Sequence, residues 1–180
     1  MRWIPGIILV LAVAGCAPKL RPDVANLSGL NNAQKATVSA WLEKTSNFRP
    51  AGDSDCNCAE DIAYFRKNGI NDQAKPQPDY RPYQKIGDFN KDGQVDIAIV
   101  MFSTTASKSD LPVLLIFNGP FEDPAKPPAM TIKLELPMRY MLFFEPGRDP
   151  RLSFGIAESD VGCLLKPKGQ AYVEDCDPGF

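Results

Sequence analysis

The sequence predicts an α+β domain in which two N-terminal helices pack on a twisted antiparallel sheet, a meander stapled by disulfides. Three observations carry that expectation. Apolar residues recur at helical spacing only before Asn71. Beyond Pro82 the period becomes two, in short apolar runs separated by turn residues. The connections between those runs are short, and no segment recurs as a repeat.

The first helix has Asn31 as its cap and Gln34 three residues on, the spacing of a capping box. Leu30, Val38, Trp41, Leu42 and Thr45 form its inward stripe, and Asn47 with Pro50 ends it. Gly52-Asp53-Ser54-Asp55 is a turn. A second helix is expected from Asn57, with Glu60 and Asp61 at the end where the helix dipole favours negative charge. Ile62 and Phe65 face inward, and Asn68-Gly69 stops it. Asn71 to Pro82 reads as a loop. Strands are expected at Val95–Phe102, Leu111–Phe117 (closed by Asn118-Gly119-Pro120), Met130–Leu136, Tyr140–Phe144 and Leu152–Ala157, with two more flanking Lys166-Pro167-Lys168-Gly169. The first two are apolar on both faces and belong in the centre, covered on one side by the helices; the later ones alternate and keep one wet face.

At the N-terminus, Arg2 precedes an apolar run, Ile7 to Ala14, too short for an ordinary membrane span. It ends in Val13-Ala14-Gly15-Cys16, which resembles the lipobox of bacterial lipoproteins. The resemblance covers the first sixteen residues. It implies that residues 1–15 are a signal peptide and that Cys16 is acylated on its sulfur and amino group. Several acyl chains make a stable membrane anchor, since each buried methylene contributes about 0.8 kcal/mol. Residues 16–27, with Pro18 and Pro22, would be the lipidated tether and residues 28–180 a single globular domain. The expected location is the bacterial cell envelope. Ala17 after the cysteine resembles the outer-membrane default of Gram-negative lipoproteins, facing the periplasm.

Of the five cysteines, Cys56, Cys58, Cys163 and Cys176 remain after Cys16, an even number that points to disulfides in an exported protein. Cys56 and Cys58 are too close for a relaxed ring, so bridges from that segment to Cys163 and Cys176 are expected, in either connectivity. A redox or copper site at Cys-x-Cys is the functional alternative. The chain has no histidine, which removes Ser-His and Cys-His nucleophilic sites and His-ligated metals. Its net charge of −2 favours no nucleic-acid partner.

One segment carries chemistry. In Asp88-Phe89-Asn90-Lys91-Asp92-Gly93-Gln94-Val95-Asp96, side-chain oxygens sit on alternate residues, where a tight loop can converge them on a hard cation. Asp88, Asn90, Asp92 and Asp96 supply side-chain oxygens and Gln94 its carbonyl, while Gly93 permits positive φ. The first six positions resemble an EF-hand loop, but Ile99 stands where an EF-hand has its bidentate Glu, and a strand follows instead of a helix. Gly87 to Val100 is closer to the calcium loops of FG-GAP and VCBS-type repeats. That resemblance implies calcium, without the repeats that a propeller needs. A metal-free turn rich in Asp, Asn and Gly is the plainer reading of the same residues.

Other candidates have ordinary explanations. Tyr80, Tyr83 and Phe89 offer an aromatic surface for a glycan, or core packing. Asp53 and Asp55 near Asp61 are an acid pair, or a turn and a helix start. Glu145, Arg148, Asp149 and Arg151 make a charged turn, and Lys108 with Ser107, Ser109 and Asp110 a polar connection. The expectation is a lipid-anchored, calcium-stabilised binding or structural module without catalysis. Its partners are the membrane through Cys16 and an envelope protein or cell-wall glycan. The alternatives are a carboxylate- or metal-dependent hydrolase of envelope glycans or phosphoesters, and an inhibitor-type lipoprotein.

Overall fold

The computed structural model describes residues 26–45, 47–55, 58–69, 75–104, 112–134, 142–143, 152–156 and 162–176. The signal segment, Cys16, Cys56, the Glu145–Arg151 turn and the Lys108–Asp110 connection lie outside the described residues.

The fold is α+β. Helix α1 spans Asn32–Lys44, and its capping box forms as expected: Asn31 Oδ1 accepts the Gln34 N–H and Gln34 Oε1 accepts the Asn31 N–H, both at 3.0 Å. Helix α2 spans Ala59–Asn68 and stops at Gly69, whose φ of 86° suits glycine. It begins two residues later than expected, with Cys58 at the cap making no side-chain cap bond.

The strands form two antiparallel sheets rather than the single meander expected. The five-stranded sheet contains β1 (Phe48–Pro50), β2 (Gln84–Gly87), β3 (Asp96–Ser103), β4 (Val113–Phe117) and β5 (Met130–Lys133). The four-stranded sheet contains β6 (Leu142–Phe143), β7 (Leu152–Ile156), β8 (Gly162–Lys168) and β9 (Ala171–Asp175) in sequence order. Strands β1 and β2 were not foreseen: Pro50 read as a helix terminator, and β2 has no apolar alternation. Both lie along β3, β2 against Asp96–Ile99 and β1 against Met101–Ser103. Between them Val100 keeps its backbone partners, donating to the Tyr83 carbonyl at 3.0 Å and accepting the Ala51 N–H at 2.9 Å.

Strand β3 is buried on both faces, as its unbroken apolar run implies. Period-two alternation divides it between two cores. Ile97, Ile99 and Met101 cluster with Leu115 and Phe117 of β4 and with Val38 and Leu42 of α1. Ala98, Val100 and Phe102 cluster with Leu114, Ile116 and Ile132, with Ile62 and Phe65 of α2, and with Leu152, Phe154, Leu165 and Tyr172 of the second sheet. The two helices therefore contribute to different clusters instead of covering one side. Removing a side chain of this size from water contributes about 2 kcal/mol, so β3 anchors both cores.

The disulfide expectation is corrected in its pairing. Cys163 bonds to Cys176 with Cα atoms 4.1 Å apart. The register of β8 and β9 places Leu164 opposite Asp175, so the two cysteines face one another across the hairpin. Facing positions in an antiparallel pair approach about 4.5–5.5 Å, close enough to bridge without long-range stapling. Cys58 is also disulfide-bonded, and its partner lies outside the described residues.

Candidate metal centre at the turn between β2 and β3

The Asp88–Asp96 segment is the turn of a hairpin. Gly87 pairs with Asp96, so β2 and β3 enter and leave the loop side by side. Two glycines make this possible for reasons of space. A β-carbon on Gly87 would lie 2.9 Å from Phe89 Cε1, where the buried Phe89 ring folds back. One on Gly119 would lie 2.7 Å from the Val95 carbonyl oxygen, where the end of β4 meets the loop. Lys91 and Gly93 turn the chain with φ of 62° and 84°.

Inside the loop the alternating oxygens first organise their own backbone. Asp88 accepts the N–H groups of Asp92 and Gly93, one on each oxygen, at 3.0 Å. Asn90 Oδ1 accepts the Asp92 N–H at 3.0 Å and Asp92 Oδ1 the Gln94 N–H at 2.8 Å, two Asx turns in succession. Asn90 Nδ2 donates to Asp92 Oδ2 at 2.9 Å. These bonds are at the surface.

Asp96 differs in every respect. It is 0% exposed. Its Oδ2 accepts the N–H of Phe89 at 2.9 Å and the N–H of Asn90 at 3.3 Å, while Oδ1 accepts the Gly119 N–H at 3.0 Å; the Tyr172 hydroxyl, whose proton goes to Asn118 Oδ1 at 2.7 Å, lies 3.3 Å from Oδ2. Three backbone donors hold the carboxylate, two on Oδ2 and one on Oδ1. Burial pushes the Asp96 carboxyl above its ordinary value; the three backbone donors pull it back, and the Asp92 charge adds to the rise. Burial also raises Tyr172, followed by the Asp96, Asp92 and Asp88 charges. The loop thus concentrates negative charge on one side of a buried tyrosine.

The donor chemistry of Asp88, Asn90 and Asp92 fits a hard, oxygen-ligated cation: Asp92 is exposed, Asp88 and Asn90 are half-buried, and two accepted N–H groups leave each carboxylate lone pairs to spare. Asp96 stands behind this set, occupied by protein donors. Among the described residues no group of three or more His, Cys, Asp or Glu is arranged to hold a metal ion. An ion here would be held by two carboxylates, a carboxamide and main-chain oxygen such as that of Gln94.

The remaining candidates among the described residues make packing contacts and ion pairs, and Asp53, Tyr80 and Tyr83 also line a cleft. Tyr80, Tyr83 and Phe89 are buried, with Tyr80 edge-on to Phe65 at 6.5 Å between ring centres. Asp53 pairs with Arg66 at 2.6 Å, and Asp55 pairs with Arg49 and accepts the Gly52 N–H at 2.8 Å, so the two acids hold separate arginines. A cleft of about 480 Å³ opens between Asn26, Gly52, Asp53, Asp79, Arg81 and Tyr83; no residue of the Asp88–Asp96 loop lines it. Sequence reasoning missed Asn118, Gly119 and Tyr172 as supports of the loop. Asn-Gly-Pro read as a strand-closing turn, and nothing local links residues 118–119 or 172 to Asp96.

Among the described residues no helix is long and apolar enough to cross a membrane. No protein-family model, no curated protein and no solved structure matches the chain.

Proposed function

We propose that the protein is a lipid-anchored protein of the bacterial envelope whose exported domain is a calcium-stabilised binding or structural module without catalytic activity. The observation that carries this reading is the division of labour in the loop. Asp96 fixes the loop to the start of β3 and to Gly119, while Asp88, Asn90 and Asp92 keep oxygens at the surface. An ion at that position would neutralise crowded carboxylates and stiffen the entry into the strand shared by both cores. The loop lies apart from the cleft, which favours a structural ion over a reactive one. The lack of histidine narrows the catalytic alternatives. The lipobox-like Val13-Ala14-Gly15-Cys16 supports the anchor, with an envelope protein or cell-wall glycan as the partner class.

Two experiments test the reading separately. Palmitate labelling in a bacterial host should mark the wild type and not Cys16→Ala; equal labelling of both sinks the anchor. Thermal melts with calcium or a chelator should differ for the wild type and coincide for Asp92→Ala. Coincident melts for the wild type sink the ion.

A further inference from the structure

The support beneath the loop continues into the second sheet. Tyr172 of β9 brings its hydroxyl 3.3 Å from Asp96 Oδ2 and 2.7 Å from Asn118 Oδ1. Asn118 in turn donates from Nδ2 to the Gln170 carbonyl at 3.1 Å and to Gln170 Oε1 at 3.4 Å, in the turn joining β8 and β9. Lys126 Nζ reaches the carbonyls of Asn118 and Gly119 at 2.8 and 2.9 Å, fixing this corner from the other side. Asp96, Asn118 and Tyr172 are all buried, 0%, 1% and 5% exposed. In β9 the other four residues are exposed, so Tyr172 alone inserts inward from that strand.

A buried polar chain of this kind is strong when complete and costly when a member is lost. The oxygen that Tyr172 touches is also the one that receives the N–H groups of Phe89 and Asn90, the first turn of the loop. A movement of the β8–β9 hairpin therefore reaches Asp96 by two routes, through the Tyr172 hydroxyl beside Oδ2 and through Asn118 to the Gly119 N–H on Oδ1, and ordering of the loop reaches the hairpin by the same routes. The Cys163–Cys176 bridge makes that hairpin one covalent unit.

We infer that Tyr172 and Asn118 are positioning residues for the loop, and that a divalent cation held by Asp88, Asn90 and Asp92 stiffens the β8–β9 hairpin through Asp96. The cation part of this inference rests on the calcium reading above; the mechanical coupling does not. Coupling is reciprocal, so whatever the ion adds to hairpin order, the hairpin adds to ion affinity.

Amide hydrogen exchange across β8 and β9 tests it, with calcium affinity measured by titration calorimetry on the same samples. In the wild type, calcium should slow exchange in the hairpin by about fivefold or more, the low end of typical coupling. Tyr172→Phe keeps the ring in the core and removes the hydroxyl, leaving only the route through Asn118 and Gln170; it should reduce that slowing and weaken calcium binding by a similar factor. Calcium that binds without slowing the hairpin, or a slowing undiminished in Tyr172→Phe, overturns the coupling and leaves the calcium reading intact. A second arm uses no ion: Asp88→Ala loosens the loop alone and should speed hairpin exchange in the wild-type background and less so in Tyr172→Phe. If calcium fails to bind, the ion arm and the calcium reading fall together, and the Asp88→Ala arm decides the coupling. Unchanged hairpin exchange in Asp88→Ala overturns it.

Discussion

Asp92 and Asp96 are the same residue type four positions apart in one loop, and they do opposite things. Asp92 is at the surface, caps the next turn of its own loop and accepts only two donors. Asp96 is enclosed, held by three backbone N–H groups with the Tyr172 hydroxyl alongside. One faces solvent because the loop projects from the hairpin; the other faces inward because β3 begins there and period two points it toward β9. The difference teaches that an alternating acidic pattern need not be one shell. Its last member can hold the loop to the fold while the first members shape the turn at the surface.

The largest expected effect follows from the inner carboxylate. Asp96→Ala leaves three backbone N–H groups without their acceptor, at about 1–3 kcal/mol for each group left unsatisfied, while the Tyr172 hydroxyl keeps Asn118 Oδ1. Chemical denaturation should show a loss of about 3 kcal/mol or more; a loss below about 1 kcal/mol would mean the enclosure is not holding the fold. Asp92→Ala, by contrast, should cost less than about 1 kcal/mol without calcium.

Next is the bridge at the far end of the relay. A closed loop of this size stabilises by about 3 kcal/mol on the chain-entropy model. Cys163→Ser with Cys176→Ser should lower stability by about 2–3 kcal/mol and raise hydrogen exchange most in β8 and β9, sparing β3. Uniform loss across both sheets would show that the two sheets unfold together.

Alkaline stability reports on the buried tyrosines. Tyr83 is raised by burial, then by the Asp55 and Asp53 charges, and Tyr172 by burial, then by the Asp96 charge. A raised folded-state value means the folded protein holds the proton more tightly than the unfolded chain. That contribution is complete below the unfolded value of about 10 and is lost as pH rises from there toward the folded value. Melting temperature should fall steeply above about pH 10, and Tyr83→Phe should flatten the fall. An unchanged slope in that variant would exclude Tyr83 as a source.

The smallest effect belongs to the outer turn. Gly93 has φ of 84° with open space around its α-carbon, so Gly93→Ala should cost about 1 kcal/mol through backbone strain alone. A cost several times larger would mean that the turn is packed and not projecting.

Much of the fold was legible because it is written locally. The Asn31–Gln34 capping box, the Gly69 stop and the two-sided apolar run of β3 each follow from residues a few positions apart. The two sheets were not legible, because alternation marks a strand without naming its partner. Strand β2 escaped since Gln84-Lys85-Ile86-Gly87 is a half-wet edge with no apolar face, and β1 since Pro50 masks it. At the site, the oxygens of Asp88, Asn90 and Asp92 and the need for Gly93 were readable from spacing. The inward turn of Asp96 was not, since it depends on Gly119 and Tyr172, which are distant in sequence. The cysteine pairing failed for a related reason: which cysteines face each other is fixed by the β8–β9 register, and sequence alone does not give register.

The central claim is that the outer residues serve an ion while the inner one serves the fold. Thermal melts of wild type, Asp92→Ala and Asp96→Ala, each with calcium and with chelator, test it most directly. At a hundredfold excess over its dissociation constant, calcium should stabilise the wild type by about 2.7 kcal/mol, a rise of about 5–10 °C. Asp92→Ala should melt near the chelated wild type and ignore calcium, whereas Asp96→Ala should melt far lower in either condition. A wild type indifferent to calcium, or an Asp92→Ala variant that responds as the wild type does, would contradict the account.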